Sequence, residues 1–314
     1  MAIQKEIWER SIVEQLFADN SFMSKAFNAN DYVNQGKVVH IPQAGAPSKV
    51  VKNRTELPAE VKKRTDSDLT YTLAEFTTDP IHIPHADTVE LSYDKRNSVL
   101  AQDKMALFDE VAKDFLFNWS PANSHTISTT GAAANGVPHA TATGQRKVLT
   151  RQDIANLMFR FNRDNIPQEG RYLLLDAAMY SELLNDLTQA EAQAFHAVAD
   201  VKNGILGKFE SFNIMMRSES ALYTSSGPKS WATTAAAGDL GAALAWHEQS
   251  VVRALGEVKA FEHMGDPTWY GDIYSFLIRC GGRIRRADNK GVWAIVQAMA
   301  QSFIKVPPHV GGTF

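Results

Sequence analysis

A chain of 314 residues, 44% of them apolar, can bury a sizeable core, and its length would suit about two ordinary domains. A formal net charge of −3 argues against a dedicated nucleic-acid binder, whose phosphate contacts need a basic excess, though not against a protein that encloses DNA. The single Cys280 excludes an intramolecular disulfide framework and fits a reducing cytosol.

The chain opens on Met1–Arg10, which has no continuous apolar core of a secretory signal, and no later run approaches the roughly 20 apolar residues that cross a bilayer. Ile3, Ile7, Trp8, Ile12, Val13 and Leu16 recur at near-helical spacing and predict an amphipathic helix, ended by the polar stretch 28–36. From Lys37 the pattern becomes strand-like: Val38, Val39 and Ile41 in one piece, then Leu69, Tyr71, Leu73 and Phe76 alternating with polar residues. Between them, Pro42 to Asp68 carries three prolines, many charges and too few apolar side chains to form its own core. These pieces predict a long two-stranded hairpin projecting from the body, with unpaired outer edges in a lone subunit.

A strong helix follows, with Asn97 or Ser98 as N-cap, Phe108, Val111, Phe115 and Trp119 on one stripe, and Pro121 as its stop. Residues 120–145 are rich in Ser, Thr, Ala and Gly and read as a loop. Thr150-Arg-Gln-Asp153 resembles a capping box opening a helix whose inner face is Ile154, Leu157, Met158 and Phe161. Beyond Pro167 the pattern alternates: strand 172–175, helix 178–186, strand 212–216 and helix 248–255, a compact mixed α/β unit. Residues 220–238 read as another loop, and 257–261, 274–284 and 292–297 as further strands.

The order Arg171-Tyr-Leu-Leu-Leu-Asp176, helix, Gly204-Ile-Leu-Gly-Lys-Phe-Glu-Ser-Phe-Asn-Ile214, loop, Ala243-Leu-Ala-Trp-His247, Gly265-Asp266 resembles the major capsid proteins of tailed bacteriophages, those with the HK97-like fold. The resemblance runs from the N-terminal arm to about residue 300 and rests on element order more than on any single motif. It implies an α+β chain divided into an N-terminal arm (1–36), an extended β-hairpin or E-loop (37–90), a P-domain with the long spine helix (91–166 and 250–288), a mixed α/β A-domain (167–249 and 289–303) and a C-terminal tail (304–314). It implies a shell subunit that forms pentamers and hexamers in an icosahedral capsid around double-stranded DNA, located in the virion and, during assembly, in the host cytoplasm. No long charged helical segment precedes the arm pattern, so a separate scaffolding protein is implied, or a mature form of the chain. A portal and decoration proteins are further partners of such a shell. Neither a membrane nor a cofactor is implied, and the same fold also serves encapsulins, cellular compartments for cargo.

Charge suggests where subunits meet. Residues 49–68 carry six basic side chains (Lys49, Lys52, Arg54, Lys62, Lys63, Arg64) against four acidic ones, while the spine helix offers Asp103, Asp109, Glu110 and Asp114. The hairpin tip is therefore expected to dock on an adjacent subunit, with that helix as receptor. Arg279, Arg283, Arg285, Arg286 and Lys290 form a second basic cluster, suited to DNA phosphates or to an inter-subunit ion-pair patch.

Catalytic readings are weaker. His82-Ile-Pro-His85-Ala-Asp87 contains usable zinc ligands and would support a metal-dependent hydrolase. However, Pro84 keeps the pair off a helix, and strand alternation puts the two rings on opposite faces. His247-Glu248 suggests acid/base chemistry, or more simply a helix N-terminus with Glu in its first turn. Cys280, beside Arg279 in an apolar strand, reads as a small buried side chain. The glycines at 131, 136 and 144 do not form a phosphate cradle. These residues predict a structural protein with no catalytic, cofactor or metal site.

Overall fold

The computed structural model describes residues 21–34, 37–43, 48–55, 58, 61, 63, 67–85 and 95–300. The amphipathic pattern of residues 3–16 and the C-terminal tail lie outside the described residues.

Two sheets and one long helix organise the molecule. The larger sheet has eight strands, ordered β11 (Gly207–Phe209), β12 (Phe212–Met216), β10 (Arg171–Leu175), β15 (Leu240–His247), β13 (Ala221–Thr224) and β14 (Gly227–Lys229). On its other side β15 pairs with β18 (Val292–Val296), which pairs in turn with β7 (Thr126–Ser128). β10 and β12 run parallel, β10 and β15 antiparallel. Every residue of β10 and β18 is buried, and apart from Arg171 both strands read as continuous apolar runs, as strands covered on both faces do.

One face of this sheet carries α1 (Arg151–Arg163), α2 (Ala177–Asp186) and α3 (Gln189–His196), which bury Ile154, Leu157, Phe161, Met179, Leu183 and Phe195 against it. The capping box of α1 is present as the sequence predicts: Thr150 accepts from the Asp153 amide, and Asp153 accepts from the Thr150 amide. The sequence division groups α1 with the spine helix, but its apolar face packs on this larger sheet.

The other face packs on the spine helix α4 (Lys95–Trp119), 25 residues and so about 37 Å long at 1.5 Å per residue. Leu107, Phe108, Val111, Ala112, Phe115, Leu116 and Trp119 form its buried stripe. The helix starts at Lys95, ahead of the N-cap predicted at Asn97 or Ser98. Asn and Ser inside a helix cost well under about 1 kcal/mol each, so they do not stop it.

Beneath α4 lies a five-stranded sheet ordered β1 (Phe27–Asn28), β16 (Val251–Asp266), β17 (Gly271–Ile284) and β5 (Ala74–Thr77), with β6 (Ile81–Pro84) also on β17. Ala260, Tyr274, Phe276, Ile278 and Cys280 point inward to the helix. Two sequence expectations fail here. The predicted helix 248–255 is a turn at 247–250 followed by the start of β16. A register shift between Leu255 and Val258 interrupts the two-residue period and hides the strand. Likewise the loop predicted over 220–238 contains the β13–β14 hairpin, closed at Gly227 with φ of 143°.

The third sheet is the hairpin: β2 (Val33–Asn34), β3 (Val38–Gln43) and β4 (Ser67–Thr72). β3 and β4 pair from Val38–Thr72 to Gln43–Ser67. Val39, Ile41 and Leu73 anchor its base against Ala29, Val252 and Ala254.

Candidate inter-subunit surfaces

The hairpin has a packed base and an unpacked tip. Among the described residues the outermost β3–β4 pair is Gln43–Ser67, and every described residue from 48 to 55 is exposed. Val50 and Val61 are 95% and 96% exposed, an unusual state for two aliphatic side chains on one segment. Lys49, Lys52, Arg54 and Lys63 are exposed beside them, while Lys62 and Arg64 lie outside the described residues. Among the described residues none covers these valines, so the tip has the composition of a contact made elsewhere: an apolar centre with a basic rim.

The acidic residues of α4 do not form one uniform face. Asp109 lies between Lys113 at 2.6 Å and Arg217 at 2.5 Å, and Lys113 also reaches Glu110 (3.3 Å) and Glu219 (3.6 Å). Asp114 accepts from Asn118 Nδ2 at 2.7 Å, and burial pushes its carboxyl up; burial does the same to Asp103. Glu110 is the predicted acid that stays outward, and Met105, one turn before Asp109, is 67% exposed. Asp109, Glu110 and Glu219 thus surround two cations and leave an acidic rim beside an exposed methionine. Charge counting found the acids but missed Met105, Val50 and Val61. The signal available was position: Met105 falls off the stripe that runs from Leu107 to Trp119.

The second basic cluster is used within the subunit. Arg279 pairs with Glu75 (2.7 Å) and Glu257 (2.8 Å), and Arg283 donates to the Thr70 carbonyl at 3.1 Å. Arg285 covers the Phe27 ring at 4.2 Å. Hydrogen bonds from Arg286 hold the Asp288 carboxyl down to about 2, with Lys290 at 3.9 Å. These contacts knit the sheet to the base of the hairpin.

A further unpaired surface is the edge of β16. Among the described residues β1 pairs only with Val252 and Arg253, so the stretch from Glu257 to Asp266 presents an open edge. Its turn carries Trp269 and Tyr270, 59% and 81% exposed. Asp266 holds this turn by accepting from the Thr268 amide at 2.7 Å.

The residues proposed for chemistry lie apart. Among the described residues no group of three or more His, Cys, Asp or Glu side chains could hold a metal. His82, on β6, packs at a tilt against Trp269, with ring centroids 5.8 Å apart and planes at 49°. His247 ends β15, buried, and burial pushes its pKa down; Glu248 lies in the following turn rather than in a helix. Cys280 is fully buried on β17, and burial, with Asp114 nearby, pushes its thiol well above the usual range, so it is a packing residue. Two buried arginines, Arg171 and Arg146, serve structure. Arg171 donates to the carbonyls of Pro167 (2.7 Å) and Ile166 (2.6 Å), to Asn162 Oδ1 (2.9 Å) and to Ser211 Oγ (3.0 Å), tying α1, β10 and the β11–β12 turn together.

Neither a family model nor a curated protein matches this sequence. Solved structures do match the fold. The capsid of Ralstonia phage GP4 aligns over 88% of both chains with a TM-score of 0.62 at 11% identity. The capsid of cyanophage P-SCSP1u aligns over 88% of this chain and 87% of its own, with a TM-score of 0.59 at 16% identity. A virus-like particle from Pyrococcus furiosus covers 93% of this chain and 99% of its own, with a TM-score of 0.55 at 8% identity. The fold is therefore the HK97-like α+β fold of tailed-phage capsid proteins, which the element order in the sequence resembles.

Proposed function

We propose that this chain is the major capsid protein of a tailed phage, assembling into pentamers and hexamers that close an icosahedral shell around double-stranded DNA. The observation that carries this reading is the hairpin, whose base is buried while no described residue covers Val50 and Val61 at its tip. An element of that kind is unfavourable in a monomer and useful in a subunit that lies across its neighbour. The proposed contact sets the apolar centre and basic rim of the tip (Lys49, Lys52, Arg54, Lys63) against Met105, Glu110 and the Asp109 cluster on α4 of an adjacent subunit. Each exposed ion pair there contributes about 0–1 kcal/mol, and the contact gains from its repetition over the shell. Contacts of one patch with a different patch close into rings when the rotation allows. The reading assigns no catalytic step to the chain and a separate scaffolding protein to its assembly. Deleting residues 46–66 tests it: the subunit should still fold, and stable shells should be lost.

The second reading is an encapsulin-type compartment, favoured by the match to the Pyrococcus particle over nearly the whole of both chains. Purified shells separate the two: a phage capsid should package DNA when a portal and a terminase are supplied, while a compartment should co-purify with a protein cargo.

A further inference from the structure

The described chain begins in a crevice at the edge of the larger sheet. A Cβ placed on Gly204 would lie 2.8 Å from Ser21 Cβ and 3.1 Å from the Met215 methyl carbon, so Ser21 sits directly on the turn that leads into β11. Phe22 and Met23 follow, both buried in one cluster with Met215 of β12 and Trp119 of α4. Residues 1–20 therefore join the body of the molecule at this turn.

The surface around that point is apolar. The loop 198–205 is closed by a pair of backbone hydrogen bonds, from the Asp200 amide to the Ile205 carbonyl at 2.8 Å and from the Ile205 amide to the Asp200 carbonyl at 3.0 Å. The Asp200 carboxylate accepts from Asn203 Nδ2 at 2.6 Å and is spent inside the loop. Val198 and Val201 remain 57% and 71% exposed on it, and Met216, which follows Met215 on β12, is 46% exposed. Val201 is within about 11 Å of Gly204 by chain length alone. Among the described residues none buries these three side chains. A closed loop that holds two valines outward beside a methionine is a surface made to be covered.

The residues just before Ser21 match it. Trp8, Ile12, Val13, Leu16 and Phe17 fall at i, i+4, i+5, i+8 and i+9, one face of a helix, while Arg10, Ser11, Glu14 and Gln15 fall on the other. A helix over 8–17 would be about 15 Å long. One so short is marginal in water by itself and needs a surface to lie on. Phe17 is four residues from Ser21, a tether of at most about 14 Å. A tether of that length gives a local concentration on the order of millimolar, which favours a contact within the chain over the same contact with a second copy.

We propose that residues 8–17 dock on the edge of the larger sheet of their own subunit, laying Ile12, Val13, Leu16 and Phe17 over Val198, Val201 and Met216. The contact continues the packing that Phe22 and Met23 begin, and it removes two apolar faces from water at once. It lies within one subunit and is independent of how subunits pair.

The test is a cysteine pair in the full chain, Ile12→Cys with Val201→Cys, joined by a short bismaleimide. Cys280 is fully buried and should not react. A monomer-sized product on a denaturing gel, with the two peptides linked in its mass spectrum, is expected. Pairing Ile12→Cys instead with Phe159→Cys, on the exposed face of α1, should give little product. Hydrogen exchange provides a second readout. In wild type the amides of residues 10–17 should exchange about tenfold slower than in an unfolded chain, as for a weakly held local unit. Val198→Asp with Val201→Asp should remove that protection while β10 and β12 stay protected. Dimer-sized products would place the segment on a neighbouring copy and overturn the proposal. Unprotected residues 10–17 in wild type, or protection unchanged by the two aspartates, would overturn it as well.

Discussion

The indole Nε1–H of Trp119, at the end of α4, donates to the backbone carbonyl of Val252 on β16 at 3.0 Å. The same ring packs edge-on against Phe22 and Phe115 and against Trp246 of the larger sheet at 5.7 Å. One side chain thus joins the spine helix to both sheets and to the entering chain. Gly282 is small for this reason, since a Cβ there would lie 2.5 Å from the indole nitrogen.

Trp119→Ala should therefore be severe, costing about 3–5 kcal/mol, because it removes a fully buried side chain from a site whose neighbours cannot collapse onto it. Trp119→Phe should cost less but still lose the hydrogen bond to the Val252 carbonyl, a penalty of about 0.5–1.5 kcal/mol. Urea unfolding of the two variants checks the order. Equal costs would show that the hydrogen bond contributes nothing.

Gly207 tests packing at the edge of the larger sheet. A Cβ there would sit 2.5 Å from the Phe195 ring, which is buried beneath it. Its φ is not in the left-handed region, so the requirement is close approach and not backbone freedom. Gly207→Val should destabilise by about 1–3 kcal/mol or more through overpacking. Combining it with Phe195→Leu should recover part of the loss in a double-mutant cycle, as expected for residues in contact. Strict additivity would show that the clash is not the cause.

The buried Asp239 should produce acid sensitivity. Burial alone would raise its carboxyl, but hydrogen bonds from Lys229, the Ala236 amide and His139 outweigh that and hold it below the usual range. A depressed carboxyl contributes stability that is present above its unfolded-state pKa and lost as pH falls through the folded-state value. Asp239→Ala should cost about 1–3 kcal/mol at neutral pH, by leaving the Lys229 ammonium with the Thr234 carbonyl but no carboxylate. Its loss of stability in acid should be smaller than that of wild type, measured by thermal unfolding across the pH range below 4.

His82→Ala, His85→Ala, His247→Ala and Cys280→Ala, made singly, should each still assemble, because none is assigned a chemical step. Gly207→Val and Trp119→Ala should not. Particle counts in a complementation assay give the comparison, and a reversed order would contradict a structural role.

Much of this architecture is legible in the residues. The apolar stripe of α4, the Thr150–Asp153 capping box and the long gap between Ile41 and Leu69 predict the spine helix, α1 and the projecting hairpin. The start of β16 was not legible, because the irregularity after Leu255 breaks the alternation that marks a strand. Nor was the β13–β14 hairpin, whose Gly227 and flanking Ser and Thr carry a loop signature. The contact surfaces were half legible. Charges at 49–68 and 103–114 could be counted, but only packing shows that Asp109 is bound by Lys113 and Arg217 while Met105, Val50 and Val61 face outward. The buried Arg171 gave no signal either, since its partners are mostly backbone carbonyls that no sequence pattern marks.

The central claim is assembly through the hairpin. Electron microscopy of the purified full chain, expressed with a scaffolding protein, beside the variant lacking residues 46–66, tests it most directly. Closed shells from the full chain, and folded but unassembled subunits from the deletion, are the predicted result. A stable monomer from the full chain at high concentration, or shells of unchanged stability from the deletion, would contradict it.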